Sequence, residues 1–496
     1  MSIGFRSTKS LSEMGKFEQK MTDQPLDTIY ALATPPGRSA IAVIRISGPK
    51  ASKAPGIFSA ACPIAGQFAL ARLSLDGRLI DQGLVIFMQG PRSSTGEDVC
   101  ELHCHGSHAV ITALLGGLAT ADGFRMAGPG EFTRRSFMNG KMDLSAVEGL
   151  ADLIDAETPK QLHQAWAQID GALAAPVMQW RADLIGLAAQ LEALIDFADE
   201  DLPAQIDADL RASTARLIYA LSYVLDDGGA GELVRDGVKI AVVGPVNAGK
   251  STILNALAGR AAAIVSDQAG TTRDIIQIRL DLGGVPATIM DTAGIRADAG
   301  PIESEGIKRA LAAAQSADLV MIVVDGSSSE WQVHMSEIDQ LATGDMLTGK
   351  ILIGDASNFI NPDISKVSER LFVINKADLM SDSPKHSVGG TDISPFLTIS
   401  AQNSADIDRL LTVLAARIMP LNRADGSIII TRARHRDALM RARDALMRAI
   451  AHDFNYNPEL AAEDFRLAAS ALGRITGEID VEELLGSIFS AFCIGK

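Results

Sequence analysis

The sequence predicts a multidomain protein that combines α/β domains with an all-α domain. Its 496 residues are enough for about three domains of about 150 residues each. Short β-rich segments between Gly/Pro turns come first, a long stretch with helical periodicity follows, and strands then alternate with helices before the chain becomes helical again. This order predicts an N-terminal α/β domain and a discontinuous helical domain that surrounds an inserted α/β domain.

The first 20 residues have the composition of a disordered extension. They contain four basic and two acidic side chains and no apolar segment, which does not fit a secretory signal and fits an organelle transit peptide poorly. A further methionine, Met21, follows directly. We therefore expect residues 1–20 to be disordered and the first folded domain to span residues 21–141.

The first domain contains short β-rich segments that are separated by turn sequences. The segments TIYALAT, AIAVIRISGP, LIDQGLVIFMQGP and EDVCELHCHG each have the apolar content and the length of one strand. The sequences between them, such as PPGRS, contain the Gly and Pro residues that are typical of turns. These segments predict the strands of an α/β domain.

Helical periodicity covers residues 142–236 and returns at residues 419–496. In the first stretch apolar residues recur at helical spacing, and no strand signal appears before Gly237. Residues 237–418 instead contain the strand-like segments VKIAVVG, VPATIMD, DLVMIVVD, RLFVINK and PFLTIS, with helices predicted from Thr252 and around 307–314. This alternation predicts a parallel-sheet α/β domain, inserted between two helical segments that pack together.

Composition and charge exclude several classes of protein. With 47% hydrophobic and 21% charged residues, the chain is neither wholly disordered nor collagen-like. Its longest apolar runs, such as LVMIVV, are far shorter than the ~20 residues of a membrane-spanning helix, so we expect no membrane association. The 45 basic and 61 acidic residues leave a net charge of −16, which disfavours non-specific binding to nucleic acids.

The cysteine content predicts a reducing, cytoplasmic location. The chain has four cysteines, Cys62, Cys100, Cys104 and Cys493. They are too few and too scattered along the chain to form a disulfide framework. Two of them belong to CELHCHGSH, whose additional histidines suggest zinc. As a strand, however, this segment places its cysteines on one face and Glu101 with His103 on the other, which argues against one tetrahedral metal site.

A phosphate-binding loop follows the predicted strand VKIAVV. The segment GPVNAGKS, from Gly244 to Ser251, matches the pattern G-x-x-x-x-G-K-[ST] and runs directly into the helical sequence TILNALAG. The backbone amides of such a loop surround a polyphosphate, its lysine reaches the terminal phosphates, and its hydroxyl is a ligand of Mg²⁺. The predicted nucleotide-binding residues are Asn247, Ala248, Gly249, Lys250, Ser251 and Thr252, with Ser251 also a magnesium ligand.

Three later motifs, each at the end of a predicted strand, identify the nucleotide as GTP. The motif DTAG places Asp291 where it holds Mg²⁺ through water and Gly294 where it senses the γ-phosphate. In NKAD, the carboxylate of Asp378 accepts two hydrogen bonds that guanine offers and adenine does not. The segment ISA places a backbone amide near guanine O6. Together the motifs predict a Ras-like P-loop GTPase domain, whose guanine-binding residues are Asn375, Lys376, Asp378, Ser400 and Ala401.

The loop SDQAGTTRD, between the first two motifs, corresponds to switch I, and its Thr272 is the second predicted magnesium ligand. Ile295 follows DTAG, and because an aliphatic side chain cannot orient the attacking water, hydrolysis must use other groups. Asn247 offers a site for a monovalent cation, and Glu303 offers a carboxylate that positions water. From the residues alone, a loop cap and a solvated helix start are the favoured roles of these two side chains.

Several of these segments resemble the tRNA-modification GTPases of the MnmE (TrmE) family. The resemblance extends from about Asp27 to Lys496 and rests on ATPPGRSAIAVIRISG, TGEDVCELHCHG, GPGEFTRRSFMNGKMDL, GPVNAGKSTILNALAG, VSDQAGTTRD, DTAGIR and the terminal FCIGK. It implies a homodimer whose N-terminal domain binds 5-formyl-tetrahydrofolate or a related reduced folate. It also implies that, with an FAD-dependent partner of the MnmG (GidA) type, such a protein adds a carboxymethylaminomethyl-type group to C5 of the wobble uridine of certain tRNAs.

The resemblance also implies roles for individual residues. The water-positioning carboxylate falls on Glu303. For Glu303 and for Asn247, the resemblance thus implies a catalytic role in place of the structural role that the residues alone favoured. The folate contacts fall on Arg45, Glu101, Lys141 and the C-terminal Lys496. The potassium ligands fall on Asn247, Ser266, Gln268 and Thr271, and Ser266 and Thr271 are also nucleotide contacts.

Several alternatives stay open at this level. Cys493, a thiol beside the folate contact Lys496, is either a catalytic group of the modification or a packed side chain. The arginines of one predicted helix either touch tRNA or a partner, or form a solvated face with interleaved aspartates; they are Arg432, Arg434, Arg436, Arg441, Arg443 and Arg448. Gln402 and the long segment 326–370 depart from the family pattern. The competing function is a GTP-dependent switch or ribosome-assembly factor without modification chemistry.

Overall fold

The computed structural model describes residues 27–196, 204–227, 229–260, 262–264, 277–291, 316–336, 369–380, 396–418, 430–454 and 456–479, and residues 485, 486, 488, 489, 492 and 495 of the C-terminal tail. The chain divides into two compact units. One comprises Met1–Ala151 with Thr476–Lys496, and the other comprises Asp152–Ile475. Described residues from near both ends of the chain therefore belong to one unit. The predicted domain boundaries at residues 141, 236 and 418 stay predictions.

The first unit contains a 6-stranded, mainly antiparallel sheet. The predicted strands are confirmed as β1, β2, β4 and β5, whereas the sequence patterns do not indicate β3, an edge strand with exposed apolar residues, or β6, which has only 3 residues. The sheet order is β3-β4-β5-β2-β1-β6, and the strands are β1 (Thr28–Leu32), β2 (Ser39–Ser47), β3 (Phe68–Leu75), β4 (Arg78–Met88), β5 (Val99–Gly106) and β6 (Phe124–Met126).

Helices pack on both faces of this sheet. On one face, Leu114 of the second helix packs against Ile44 of β2 and Leu102 of β5. On the other face, Phe132 of the third helix packs against Ile29 of β1. Both faces carry apolar side chains because successive residues of a strand point to opposite sides of the sheet. The helices are α1 (Ala54–Ile57), α2 (His108–Ala119), α3 (Glu131–Met138) and α4 (Leu144–Asp155), of which α4 belongs to the first unit up to Ala151.

The described residues of the C-terminal tail pack on the first unit. Leu485, Phe489 and Phe492 share a small core with Leu144 and Val147 of α4. The rings of the two phenylalanines lie 6.0 Å apart. The tail is therefore fixed to the rest of the first unit by apolar contacts between residues that are far apart in the sequence.

In the second unit, helices from both predicted helical segments form one core. Leu221 and Leu217 belong to the first segment, and Leu439, Leu446 and Phe465 belong to the second. This shared core confirms that the helical domain is discontinuous. Its helices are α5 (Pro159–Ile169), α6 (Ala174–Asp196), α7 (Ala204–Leu225), α8 (Ala230–Asp236), α11 (Ala433–Ala451) and α12 (Pro458–Thr476). No helix in the described ranges is both long and apolar enough to span a membrane.

The inserted α/β part of the second unit contains another 6-stranded sheet. All the neighbouring strands are parallel except β8, which pairs antiparallel with β9 at one edge. The predicted strands do not include β8, although its sequence QIRLDL alternates polar and apolar residues; the other strands are confirmed. The order is β12-β11-β10-β7-β9-β8, and the elements are β7 (Val238–Val243), α9 (Lys250–Ala258), β8 (Gln277–Leu282), β9 (Val285–Asp291), β10 (Leu319–Asp325), β11 (Glu369–Asn375), β12 (Phe396–Thr398) and α10 (Ser404–Ile418).

Two predicted features of the inserted domain lie wholly or partly outside the described residues. The helix predicted around 307–314 lies outside them, and residues 337–368 of the long segment do so as well. The helix predicted from Thr252 begins at Lys250, two residues earlier than expected. In open α/β sheets, ligands bind beyond the carboxyl ends of the parallel strands. The described ends of β7, β10 and β11 therefore locate the predicted nucleotide site.

Candidate functional site

The phosphate-binding loop lies between the carboxyl end of β7 and the first turn of α9. Gly249 has a φ of 91°, and a Cβ atom there would be 2.1 Å from the side-chain nitrogen of Asn375. At Gly244 a Cβ atom would be 2.1 Å from the carbonyl oxygen of Val323. Larger side chains cannot occupy either position, so both glycines allow the loop to approach β10 and β11 closely.

Lys250, the first residue of α9, is buried and bends back over the loop. Its Nζ donates to the carbonyl oxygens of Gly244 at 2.8 Å and Pro245 at 2.7 Å. The ammonium group is therefore centred on the loop, where backbone amides and the positive end of α9 also favour a phosphate. Ser251 and Thr252 follow in the first turn of the same helix. The loop thus has the predicted donors for a polyphosphate.

Asn375 connects the phosphate-binding loop to the predicted guanine-binding segments. Its side chain is only 2% exposed. Its Nδ2 donates to the carbonyl oxygen of Ala248 at 2.9 Å, and its Oδ1 accepts from the backbone amide of Ala401 at 3.0 Å. One side chain therefore holds three of the predicted segments together. Ser400 is buried beside them, and its amide donates to the carboxylate of Asp406 at 2.9 Å.

The two other predicted residues of NKAD follow β11. Lys376 has a left-handed backbone, with φ 62° and ψ 40°, and leads into a short 3₁₀ turn at Ala377–Leu379. Asp378, in this turn, is exposed and so accessible to a base. The Nζ of Lys376 donates to Oδ2 of Asp325 at 2.6 Å. Asp325 is not part of any motif, although its place at the end of the strand DLVMIVVD is a signal by which it could have been found.

Several predicted site residues lie outside the described residues. They are Ser266, Gln268, Thr271, Thr272, Gly294, Glu303, Cys493 and Lys496. Asp291 ends β9, and Asn247 forms part of the exposed turn of the phosphate-binding loop, with a φ of 65°. Their predicted roles in binding magnesium, potassium and the nucleotide stay predictions.

In the first unit, Arg45 and Glu101 form an ion pair across two neighbouring strands. They are directly opposite each other in the pairing of β2 with β5, and the Nε of Arg45 lies 2.9 Å from Oε1 of Glu101. The second carboxylate oxygen is 3.0 Å from Nε2 of His103. Burial on its own raises the pKa of Glu101, but the hydrogen bonds and charges of His103 and Arg45 outweigh it and hold the pKa below its usual range. The sequence motifs did not identify His103.

Lys141, the third predicted folate contact in the described chain, lies in a different environment. Its Nζ donates to the carbonyl oxygen of Pro91 at 3.0 Å, in the loop between β4 and β5. Asn139, nearby in the sequence, donates to the carbonyl oxygen of Thr95 in the same loop at 2.7 Å. The structure therefore brings Arg45 and Glu101 together. Lys141 instead donates a hydrogen bond to the loop that precedes β5.

The C-terminal tail reaches the strand beside this pair. Gly495 has a φ of 103°, and a Cβ atom there would be 2.2 Å from the carbonyl oxygen of Leu32. Leu32 ends β1, and its neighbour Ala31 is directly opposite Arg45 in the strand pairing. The residue before Lys496 therefore packs against the strand that adjoins Arg45.

The segment CELHCHGSH, which suggested zinc, lies largely in β5. Cys100 and Cys104 point into the apolar core of the first unit, while Glu101 and His103 lie on the opposite face of β5. No group of three or more His, Cys, Asp or Glu side chains within the described ranges is arranged to hold a metal ion.

The predicted row of arginines on α11 is paired largely within the second unit. Arg436 bonds to Asp227 and Glu232, Arg448 bonds to Asp464, and Arg434 donates to backbone carbonyls of α12. These contacts favour a structural role for Arg434, Arg436 and Arg448 over a tRNA-binding one.

Comparisons with known proteins match nearly the whole described chain. A family model described as the MnmE helical domain matches residues 144–493. A second model, described as the N-terminus of the GTP-binding protein TrmE, matches residues 28–141. Together the two models account for both the α/β domain at the N-terminus and the helical domain with its insertion.

Curated relatives are similar over their full length. A tRNA modification GTPase MnmE of Parvibaculum lavamentivorans is 47% identical over 476 residues, which cover 95% of this chain and 100% of the relative. Proteins with the same name from Rhodospirillum rubrum and Caulobacter vibrioides are 42% and 43% identical, each over 95% of this chain and 100% of the relative. A solved structure of Aquifex aeolicus Era bound to GDP·AlF4⁻ covers 42% of this chain and 67% of its own, at 20% identity and a TM-score of 0.25, which is too low to support an argument.

Proposed function

The chain belongs to the MnmE family of tRNA modification GTPases, and on that premise we propose that it is a potassium-dependent GTPase that acts on the wobble uridine of certain tRNAs. With an FAD-dependent partner protein, it adds a carboxymethylaminomethyl-type group to C5 of that uridine, uses a formyl-tetrahydrofolate and works in the cytoplasm. The observation that carries the GTPase site is the buried side chain of Asn375, which joins Ala248 to Ala401.

The proposed GTP site uses the loop and the sheet edge described above. Lys250 and the loop amides bind the phosphates, while Asp378 selects guanine and the segment with Ser400 and Ala401 lies beside the base. Ser251 and Thr272 hold Mg²⁺, with Asp291 acting through water and Gly294 near the γ-phosphate. The donor set fits this role, because a buried ammonium group already lies over the loop at Gly244. A bound Mg²⁺ neutralises phosphate charge.

Potassium and Glu303 take the place of the water-orienting glutamine that Ras-like GTPases have where this chain has Ile295. Asn247, Ser266, Gln268 and Thr271 offer the oxygen ligands that a potassium ion needs. Asn247 fits, because it lies exposed in the turn of the phosphate-binding loop. When bound, the ion supplies positive charge beside the phosphates. Glu303 orients the attacking water, since Ile295 cannot accept a hydrogen bond from it.

The proposed folate site is built around Arg45 and Glu101. Glu101 has a lowered pKa, so it is ionised at neutral pH and accepts hydrogen bonds from the N–H groups of a pterin ring. Arg45 and Lys141 suit the carbonyl groups and the glutamate tail of a folate. Lys496 completes the set, and its neighbour Gly495 packs against the strand that adjoins Arg45. When bound, a formyl-folate carries a one-carbon unit.

The exposed β3–β4 part of one face of the first sheet supports a homodimer. Leu70 of β3 and His103 of β5 both pair directly with Leu84 of β4, so their side chains share one face with Glu101 and Arg45. On this face Phe68 is 71% exposed and Leu70 is 65% exposed. A patch of large apolar side chains next to a polar site is typical of an interface. A second copy of the chain covers it in a symmetric contact.

Nucleoside analysis of bulk tRNA tests the modification. We expect a deletion strain to lose the wobble-uridine modification, the wild-type gene to restore it, and Glu101→Gln to restore it poorly. Asp122→Asn, an exposed substitution in the same unit, is the matched control and should restore it fully. An unchanged nucleoside profile in the deletion strain, together with a purified protein that binds no reduced folate, would favour a GTP-dependent switch without modification chemistry.

A further inference from the structure

Asp325 lies at the edge of the nucleotide site and belongs to none of the GTPase motifs. It is the last residue of β10, directly opposite Asn375, the last residue of β11. The backbone amide of Gly326 donates to the carbonyl oxygen of Asn375 at 2.8 Å, so the two strand ends are also joined beyond the sheet. The carboxylate of Asp325 therefore faces the start of the NKAD turn.

Both oxygens of this carboxylate are oriented by hydrogen bonds. Oδ1 accepts from the backbone amide of Ser327 at 3.0 Å and from its hydroxyl at 2.6 Å. Oδ2 accepts from Nζ of Lys376 at 2.6 Å. Burial raises the pKa of Asp325, but the hydrogen bonds from Lys376 and Ser327 outweigh it and keep the pKa low. The group is therefore an anion with a fixed direction at neutral pH.

Lys376 needs such a support because of its backbone. It is one of the few described non-glycine residues with a positive φ, a conformation that costs free energy for a residue with a Cβ atom. Its side chain is 30% exposed and that of Asp325 is 25% exposed, so the pair is partly shielded from water and stronger than a fully exposed one. The pair holds both the side chain and the strained turn that presents Asp378.

We propose that Asp325 is a positioning residue of the guanine-binding site, which holds Lys376 in place and so pre-orders the NKAD turn for GTP and GDP. The inference rests on the proposed assignment of Asn375, Lys376 and Asp378 to the nucleotide. Pre-ordering increases affinity because the turn loses less conformational freedom on binding. A merely structural ion pair would instead affect the stability of the protein and leave nucleotide affinity unchanged.

The test compares substitutions that act on the two sides of the carboxylate. Asp325→Asn keeps an oxygen for the amide of Ser327 but removes the charge that holds Lys376. Ser327→Ala removes only the hydroxyl on the opposite side and serves as the matched control. Lys376→Met, alone and combined with Asp325→Asn, completes a double-mutant cycle. For each full-length variant, we would measure GDP affinity with a fluorescent GDP analogue, KM and kcat for GTP, and the thermal midpoint without nucleotide.

We expect Asp325→Asn to weaken GDP binding by about tenfold, the effect of one charge-assisted hydrogen bond. The loss should appear in KM rather than in kcat, and Ser327→Ala should bind GDP as the wild type does. In the Lys376→Met background, Asp325→Asn should cause no further loss. Wild-type affinity in Asp325→Asn, or an equal further loss in that background, overturns this inference alone. A wild-type protein that binds no GDP overturns the nucleotide-site assignment and this inference with it.

Discussion

Asn375 and Ala248, which belong to two different motifs, are joined by a hydrogen bond of 2.9 Å from the side-chain amide to the backbone carbonyl oxygen. The same side chain accepts a bond from the amide of Ala401. Three segments that are far apart in the sequence therefore depend on one buried group. We therefore expect this residue to couple the geometry of the phosphate-binding loop to that of the predicted guanine-binding turn.

Asn375→Ala should weaken both nucleotide binding and the fold. The substitution leaves the carbonyl of Ala248 and the amide of Ala401 without this partner in a buried position, and each unsatisfied group costs about 1 to 3 kcal/mol. We expect a lower thermal midpoint and a large loss of GDP affinity, measured with a fluorescent GDP analogue. Asn403→Ala, which removes an exposed cap of α10, should keep the affinity. Wild-type affinity in Asn375→Ala would refute the proposed coupling.

GTP turnover should depend on potassium. Ile295 cannot orient water as the glutamine of Ras-like GTPases does. A cation held by Asn247 and its switch I partners therefore supplies positive charge that stabilises the transition state. We expect much faster turnover in KCl than in NaCl at equal ionic strength, because the smaller sodium ion suits the same ligands poorly. Asn247→Ala should abolish the difference between the two salts. Equal turnover in saturating NaCl and KCl would rule out a potassium site.

Glu131 should stabilise the first unit in a pH-dependent way. Burial raises the pKa of its carboxyl, but hydrogen bonds from Arg125 and Gly128 and the nearby positive charges outweigh it and lower the pKa from 4.5 to about 2. Because the folded pKa is the lower one, the stabilisation is present above pH 4.5 and disappears as the pH falls towards 2. At pH 7 the Glu131→Gln variant should lose on the order of 2 kcal/mol.

Hydrogen exchange in peptides that contain Phe124–Met126 and Glu131–Met138 measures this effect locally. We expect Glu131→Gln to lower protection there at pH 7 and the difference from the wild type to shrink in acid. Asp122→Asn, which breaks an exposed pair with Lys50, should change the protection little. A difference between Glu131→Gln and the wild type that stayed constant from neutral to acid pH would contradict the predicted charge effect.

Gly284 should be needed for docking of the β8–β9 turn on helix α5 within the second unit. Its carbonyl oxygen accepts from the hydroxyl of Thr158 at 2.8 Å, and a Cβ atom at Gly284 would lie 2.7 Å from Cβ of Lys160. Gly171 has a similar φ of 89° against 92° for Gly284, but a Cβ atom at Gly171 would have no atom within 4 Å. The two glycines therefore separate backbone strain from steric contact.

We expect Gly171→Ala to cost about 1 kcal/mol through its positive φ alone and Gly284→Ala to cost clearly more. Thermal unfolding of the full chain gives the comparison, and GTP turnover shows whether the docked turn matters for hydrolysis. Equal losses of stability in the two variants would show that the contact with Lys160 adds nothing.

Cys493→Ser should separate the modification from GTP hydrolysis. A thiol that takes part in chemistry beside a bound folate cannot be replaced by a hydroxyl without loss of the modification, whereas a packed side chain can. In a strain without the native protein, we expect this variant to hydrolyse GTP normally and to leave the wobble uridine unmodified. Normal modification by the variant would remove Cys493 from the chemistry and leave it with a packing role.

Much of the fold was predictable from local sequence. The strand segments that became β1, β2, β4 and β5 have apolar patterns of the right period, and the loop GPVNAGKS lies between a strand and a helix as its motif requires. The edge strands β3 and β8 were not among the predicted strands. The segment QIRLDL of β8 nevertheless alternates polar and apolar residues, with Leu280 and Leu282 buried, and was recognisable by its period of two. In β3 the segment FALARLSL has apolar residues on both faces, and Phe68 and Leu70 on one of them are exposed, so its alternation is weak.

The sequence by itself determined that the chain binds a guanine nucleotide, because each motif carries its own chemistry within a few residues and the order of motifs along the chain is enough to identify the class. Only the tertiary structure decided which distant residues meet: Arg45 with Glu101 across β2 and β5, Asp325 with Lys376, and Gly495 with the end of β1. Strand register and long-range packing decide these contacts, and both depend on burying apolar surface over the whole domain rather than on any local pattern.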